Sequence, residues 1–462
     1  MQTKQTRVLL FTLVAASAAL ALAPKSRAAD APDAIIWSKP AWLSELSFAV
    51  KESHDDNVFG VSGLGMPVQS SWVDSVSAKI TFNLIPLLDD QKDVTALSLT
   101  YNPESVRYED ATTEDYIAHR INAVAKGKFD GGSYSLENAY LYNDGDRYAP
   151  TYALNQLAGA AANQNDKFRN NYAHSLARER RNQSQDRYNF WVQFNDGNVF
   201  FRPVSSLTQF NLNTFLFNTG AAPYKGYQDY VSRYDVNAGA DVGVKITPDF
   251  SFFVGYRDGY QHQDQFALAI NSDRHFSSNQ YQRALLGIEG KPVTWLTLKL
   301  VAGPDYKDFN ANAAVANSRT TRAFIEGTAS AALPDNQSLT LGYKQYMFVA
   351  STGLVPYVDT TATLVYHVNA TKEIGIDLGI KYLEANYTMG NDVAGSAPSR
   401  RDDLDKGASA GVTYAFTKKL SVGVTYTYDK GSNGLGNLPA NLFAAYRDFD
   451  HNVVSASIQY KF

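Results

Sequence analysis

The chain has 462 residues, of which 44% are hydrophobic and 19% are charged, so its composition is that of a folded protein. The 42 Lys and Arg residues against 46 Asp and Glu give a net charge of -4, which offers no case for a nucleic-acid partner. The absence of cysteine excludes disulfides, thiolate metal sites and cysteine nucleophiles. The 29 Tyr and 25 Phe residues against 4 Met favour strands over helices.

The first residues have the features of a secretory signal peptide. Lys4 and Arg7 precede an apolar run over 8–22, and the small residues Ser26 and Ala28 suit cleavage before Ala29. Beyond this run no stretch approaches the ~20 apolar residues that a membrane helix needs. The mature chain is therefore expected either to be secreted and soluble or to cross a membrane as strands.

The rest of the chain alternates apolar and polar residues with period two, which is typical of β-strands. In the clearest case, 372–382, the apolar face carries Ile374, Ile376, Leu378, Ile380 and Tyr382. Segments 76–84, 236–246 and 420–428 repeat the pattern. The sequence therefore predicts an all-β fold that begins at about Trp42.

Tight turns join the predicted strands in pairs, and longer connections separate the pairs. The turns are Asn195-Asp196-Gly197, Thr247-Pro248-Asp249, Gly290-Lys291-Pro292, Pro334-Asp335-Asn336, Asn369-Ala370-Thr371 and Thr417-Lys418-Lys419. The long connections are 54–71, 143–186, 207–232, 305–319, 386–401 and 431–447. Short turns on one side and long loops on the other are typical of outer-membrane barrels. We predict one antiparallel transmembrane β-barrel of 18 strands, with 16 as the alternative; 42–51 and 198–206 are its least regular strands.

The end of the chain decides which face meets lipid. Its apolar face carries Val454, Ala456, Ile458, Tyr460 and Phe462, and Phe462 is the last residue. This segment resembles the terminal strand of bacterial outer-membrane barrels, in which Ile458, Tyr460 and Phe462 would form the signal read by the barrel assembly machinery. The resemblance implies the outer membrane of a Gram-negative bacterium, with lipopolysaccharide as a neighbour. The alternative is a secreted β-sheet protein that ends in Phe by chance.

A second resemblance lies near the start of the predicted barrel. The strand 46–50 runs into Asp55-Asp56-Asn57-Val58-Phe59, which resembles the start of the β-barrel porin type-two family. That resemblance implies a barrel, and some relatives are associated with exopolysaccharide export. No functional residue is transferred from it. The chain is thus divided into a signal peptide over 1–28, a short periplasmic segment over 29–41 and the barrel over 42–462.

If the apolar face points to lipid, the opposite face lines a lumen that carries both signs of charge. The principal candidates are Lys79, Asp241, Lys245, Arg257, Lys299, Lys344, Asp377 and Lys381, and the others are Arg120, Glu137, Asp359, His367 and Lys461. Strong ion selectivity needs rings of one sign. This mixture predicts a weakly selective aqueous pore, while the alternative is that the charges are merely solvated in a wide interior.

The long connection 143–186 is the third and longest external loop. Its second half, taken as 167–187, contains Lys167, Arg169, Arg178, Arg180, Arg181 and Arg187. In many porins the third external loop folds inward, and by this resemblance the arginines would form a constriction that favours anionic or sugar solutes. The alternative is an external basic loop that contacts lipopolysaccharide.

Sequence motifs favour neither an enzyme nor a bound metal or cofactor. There is no His-Glu-x-x-His motif. Gly407-Ala408-Ser409-Ala410-Gly411 matches Gly-x-Ser-x-Gly but is no nucleophile elbow, because no helical pattern follows it. The fragment Asn143-Asp144-Gly145-Asp146 has calcium-like spacing, but Asn155 stands where a calcium loop needs its glutamate, so a turn is expected instead. We therefore expect a porin-like channel for passive diffusion of small hydrophilic solutes, and analogy with porins adds a homotrimer. The alternative function is an export barrel for exopolysaccharide or a scaffold in a larger envelope complex.

Overall fold

A computed structural model describes residues 39–58, 60, 68–145, 183–212, 232–263, 278–310, 319–349, 356–387, 401–435 and 449–462. The described part folds into 18 antiparallel strands that follow one another in chain order. They are β1 (Leu43–Asp55), β2 (Ser71–Asn83), β3 (Val94–Tyr108), β4 (Tyr116–Phe129), β5 (Gly132–Gly145), β6 (Gln183–Asp196), β7 (Val199–Leu212), β8 (Arg233–Thr247), β9 (Phe250–Gln263), β10 (Asn279–Val293), β11 (Leu296–Phe309), β12 (Arg319–Leu333), β13 (Gln337–Phe348), β14 (Tyr357–Asn369), β15 (Ile374–Tyr387), β16 (Arg401–Ala415), β17 (Leu420–Leu435) and β18 (Phe449–Lys461). The predicted signal peptide lies outside the described residues.

The sheet closes on itself. Strand β1 pairs with β2 on one side and with β18 on the other, where the register runs from Ser47 opposite Lys461 to Asp55 opposite Val453. The seam continues to the last residue, because the amide of Phe462 donates to the carbonyl oxygen of Leu46 over 2.9 Å. The predicted closed all-β barrel is confirmed, and the count is 18 rather than 16.

The two faces of the wall differ as the alternation predicted. On β15, Leu378 and Ile380 point outward and are 47% and 57% exposed, while Asp377 and Lys381 take the inward positions on either side of this pair. The outward face of β18 carries the same apolar residues that the sequence placed together, and the Phe462 ring packs edge-on against Phe48 at a centroid distance of 5.8 Å. The barrel therefore has an exposed apolar exterior and a polar interior.

At one end of the barrel, which we call the turn end, the turns have two to four residues, except for the ten-residue connection 84–93 between β2 and β3. At the opposite loop end every connection has seven residues or more. Pro334-Asp335-Asn336 forms the predicted turn between β12 and β13, with Asp335 and Asn336 both at a φ of 58°. The prediction at Gly290-Lys291-Pro292 is wrong, because β10 continues to Val293. Gly290 instead marks a bulge, with a φ of 113° and a register shift between Gly290 and Val293.

Several strands run further toward the loop end than the sequence pattern predicted. The segments 207–232, 305–319 and 431–447 were predicted as connections, yet β7 reaches Leu212, β11 reaches Phe309 and β17 reaches Leu435. The polar residues of 305–309 resemble a loop in sequence, but they alternate between two faces, and Asp305 and Lys307 are fully buried on the inner one. The irregular segments 42–51 and 198–206 do form strands, within β1 and β7.

Helical structure in the described residues is limited to two single 3-10 turns, Ile85–Leu87 and Thr112–Glu114. No helix in those ranges is long and apolar enough to cross a membrane.

The outward and inward faces of β17 can be compared by placing the same charge on neighbouring residues. Val424→Arg adds a charge to the apolar exterior, where Val424 is 58% exposed, and should destabilise the folded barrel in lipid by about 2–4 kcal/mol. Thr425→Arg adds the same charge to the inner face and should leave stability nearly unchanged. Urea unfolding in lipid vesicles measures the stability of both variants, and an equal loss of stability in the two would contradict the assigned faces.

Candidate functional site: the barrel lumen

The pairing register places all eight principal candidate charges of the sequence on the inward face. Most have a partner there: Lys79 lies 2.6 Å from a Glu45 oxygen, and Asp377 lies 2.7 Å from His367 Nδ1. Lys381 bridges Asp405 at 3.3 Å and Asp429 at 2.8 Å, and Lys344 lies over the Tyr346 ring at 4.5 Å. Both signs of charge therefore occur side by side along the inner wall.

Asp241 and Arg257 belong to a larger ion-pair group, which we call the Arg202 network. One Asp241 oxygen lies 3.0 Å from Arg202 Nη2 and the other lies 2.7 Å from Arg257 Nη1. Arg202 also bonds Glu289 at 2.5 Å. The opposing residue Gly255 lacks a Cβ, and a Cβ there would overlap the Asp241 carboxylate. Four strands, β7 to β10, are thus joined on their inner face by charges that balance.

Aromatic rings cover the Arg202 network. The Arg202 guanidinium lies 5.3 Å from the Phe200 ring centroid and 4.9 Å from that of Phe253. Both phenylalanines are inward residues, and both are buried. The wall from β7 to β10 is therefore packed and dehydrated rather than freely solvated.

A second group of polar residues lies nearer the loop end. This polar cluster consists of Asp235, Gln261, Asn279, Tyr281, Arg283, Asp305 and Lys307, and all seven side chains are buried. Asp235 accepts from Tyr281 at 2.6 Å and from Gln261 at 2.7 Å. Lys307 donates to Gln261 at 2.9 Å and lies 3.6 Å from Asp305. Two acids balance two bases, so the cluster is neutral in sum.

The end of β13 crosses into the lumen and covers this cluster. Gln261 Nε2 on β9 donates to the Met347 carbonyl oxygen of β13 over 3.4 Å. In a round barrel of 18 tilted strands with a backbone radius of about 18 Å, strands four apart would lie more than about 20 Å from each other. A glutamine side chain cannot span that distance, so the end of β13 must leave the wall.

Side-chain packing shows how the end of β13 lies. By the alternation of its strand, Met347 is an outward residue. It nevertheless packs against Phe309, an inward residue of β11, and Val358 of β14 packs against the same pair. The outer face of the β13–β14 end therefore rests on the inner face of β11. We call the residues 346–349 and 356–358 the tucked hairpin end.

Arg233 of β8 fixes the tucked hairpin end from the other side. Its guanidinium lies between the rings of Phe210 and Phe348, at 4.7 and 4.5 Å from their centroids. One nitrogen donates to the carbonyl oxygen of Val349 over 2.5 Å and to the Tyr357 hydroxyl over 3.4 Å. This contact also joins strands that would lie far apart in a round barrel.

Most of the predicted constriction on the third loop lies outside the described residues and stays a prediction. Arg187 was predicted to belong with that loop's arginines, but it lies within β6, opposite Ala139 of β5. Lys167, Arg169, Arg178, Arg180 and Arg181 lie outside the described residues. Within the described ranges, the tucked hairpin end enters the lumen and contacts the inner faces of β9 and β11.

The calcium-like fragment is described only as far as Gly145, and Asp146 lies outside the described residues. Asn143, Asp144 and Gly145 are the last residues of β5 rather than a turn. Among the described residues, no group of three His, Cys, Asp or Glu side chains could hold a metal ion.

Comparison with known proteins gives remote structural likenesses. No family model matches the chain, and no curated protein matches it. OccAB3 of Acinetobacter baumannii is 13% identical, with 90% of this chain and 99% of that chain covered and a TM-score of 0.39. OccK2 of Pseudomonas aeruginosa, solved with glucuronate, is 12% identical at 90% and 98% coverage and a TM-score of 0.40. The siderophore receptor PirA of Acinetobacter baumannii is 9% identical at 90% and 80% coverage and a TM-score of 0.39.

Breaking the Arg202 network should lower the free energy of unfolding far more than breaking an exposed ion pair. Asp241→Asn leaves Arg202 and Arg257 without the carboxylate that joins them and should destabilise the barrel by about 3–5 kcal/mol, as for other buried pairs. The matched control Asp377→Asn removes a 56% exposed carboxylate from the same inner face and should cost about 0–1 kcal/mol. Urea unfolding in lipid vesicles compares them, and equal losses would show that the network is solvated.

Proposed function

We propose that the chain is an outer-membrane channel through which small hydrophilic solutes diffuse passively. The observation that carries this proposal is the closed ring of 18 strands with an apolar, exposed exterior and a charged interior. In lipid backbone polar groups must be satisfied within the protein, and the pairing of β1 with β18 satisfies those of the first and last strands. Barrels of this strand number enclose an aqueous channel.

The arrangement of charges supports a filter based on size and weak electrostatics. Cations such as Lys79 and Lys381 face acids at short distance, so no ring of a single sign is formed by the described inner face. Such a lumen admits ions of both signs. The candidate pore charges that the sequence identified belong to this proposal, with Lys245 and Lys299 on the inner face of β8 and β11.

The large packed groups of the described lumen lie on one side of its wall. The Arg202 network, the polar cluster and the tucked hairpin end all lie against β7 to β11. A solute would therefore pass along the inner faces of the strands on the opposite side, between β14 and β6 by way of β18. We place the size limit of the channel at the tucked hairpin end.

Two partners and a location complete the proposal. Lipopolysaccharide would surround the loop end, the barrel assembly machinery would read the outward face of β18 that ends in Ile458, Tyr460 and Phe462, and the chain would reach the outer membrane after cleavage near Ala28. A homotrimer is proposed by analogy with porins only.

Planar bilayers test the function directly. The refolded protein should give stable conductance steps, and a salt gradient should give a small reversal potential because both signs of charge line the lumen. A folded, heat-modifiable barrel that never conducts would overturn the channel. The export or scaffold alternative would then be tested by whether the barrel co-purifies with envelope polysaccharide or other envelope proteins.

A further inference from the structure

The tucked hairpin end leaves a seam in the barrel wall. Strands β12 and β13 pair only from Leu333 opposite Gln337 to Ile325 opposite Gln345. Beyond that point β12 continues for six residues that pair with β11 alone, and β13 continues for three that pair with β14 alone. Among the described residues, the two strands have no backbone partner across this seam.

The register across the seam can be extended while every residue stays on its own face, inward or outward. One further step places Phe324 opposite Tyr346, the next places Ala323 opposite Met347, and a third places Arg322 opposite Phe348. Phe324 and Tyr346 are both inward residues, while Ala323 and Met347 are both outward residues. The sequence therefore suits a second arrangement in which β13 stays in the wall and Met347 joins the apolar exterior.

The two arrangements exchange one set of interactions for another. In the tucked arrangement the Met347 carbonyl accepts from Gln261, and the Val349 carbonyl accepts from Arg233. In the paired arrangement, backbone groups of β12 would replace those donors. Meanwhile Asp235, Tyr281, Arg283 and Lys307 would keep their mutual bonds and become exposed to the lumen.

We propose that the end of β13 moves between the tucked arrangement and pairing with β12, and that this movement gates the lumen. The gating rests on the proposed channel function, whereas the alternative pairing does not. Packed elements with two discrete arrangements are a general basis for such switching. The tucked arrangement covers the polar cluster and narrows the lumen, and the paired arrangement widens it.

The absence of native cysteine allows each arrangement to be locked by one engineered disulfide. Met347→Cys is used in both locks. A disulfide with Phe309→Cys would hold the tucked arrangement, and a disulfide with Ala323→Cys would hold the paired one. Directly opposed residues on antiparallel strands lie within the Cα separation that a disulfide needs. Phe324→Cys with Tyr346→Cys is a second paired lock on the inner face, and the three single variants of the first two locks are controls.

Disulfide formation in the refolded protein reports the pairing, and conductance reports the gate. Both double variants should cross-link on mild oxidation. The Phe309/Met347 lock should abolish the higher conductance level, the Ala323/Met347 lock should abolish the lower one, and reductant should restore both. Failure of both paired locks to cross-link, while the tucked lock forms, would overturn the alternative pairing.

Conductance separates the remaining outcomes. If both locks form and every form conducts equally, the movement occurs but the gate is contradicted. If both locks form and no form conducts, the alternative pairing stands and the proposed channel function fails. Heat-modifiable migration shows whether each single variant folds. If one does not, the Phe324→Cys/Tyr346→Cys pair is used instead, and its cross-linking tests the alternative pairing in the same way.

Discussion

Backbone closure is the constraint on which the rest of the molecule depends. A strand edge in lipid leaves amide and carbonyl groups without water, and each such group costs free energy. The nine residue pairs between β1 and β18 remove that edge, and the bond from Phe462 to Leu46 extends the seam to the last residue. Once the ring is closed, its outward residues are free to be apolar and its inward residues are free to be polar. The alternation of apolar and polar residues along the sequence matches these two faces.

Closure also explains why the packing of inward side chains can differ from one side of the barrel to the other. Because the backbone hydrogen bonds hold the ring, inward side chains need not form a uniform core. Along β7 to β11 they form the packed Arg202 network and the polar cluster, whereas Lys79 and Asp377 elsewhere on the wall keep exposed ion pairs. The tucked hairpin end rests on the packed side. In the described lumen, the two large buried groups therefore lie along β7 to β11, and exposed ion pairs occur elsewhere on the wall.

The sequence predicts the fold well because strand alternation is local. The period-two pattern at 372–382 and the turn at 334–336 need no knowledge of distant residues. The polar cluster was missed because Asp305 and Lys307 lie in a segment whose polarity resembles a loop; their alternation with Pro304 and Tyr306 was the available signal. The tucked hairpin end could not have been predicted, since Met347 continues an ordinary outward pattern and its inward position depends on Gln261 and Phe309 in other strands. The family resemblance near 46–59 stays a prediction.

The assigned faces make one requirement of the barrel, that alternating residues of each strand meet lipid on the outside and water on the inside. Single cysteines along β17 test it most directly, since the chain has no other cysteine. In lipid vesicles, a membrane-impermeant maleimide should label Gly423→Cys, Thr425→Cys and Thr427→Cys from the lumen, and it should leave Val422→Cys, Val424→Cys and Tyr426→Cys unlabelled. A reversed pattern, or equal labelling of all six positions, would contradict a membrane-spanning barrel with a wet interior.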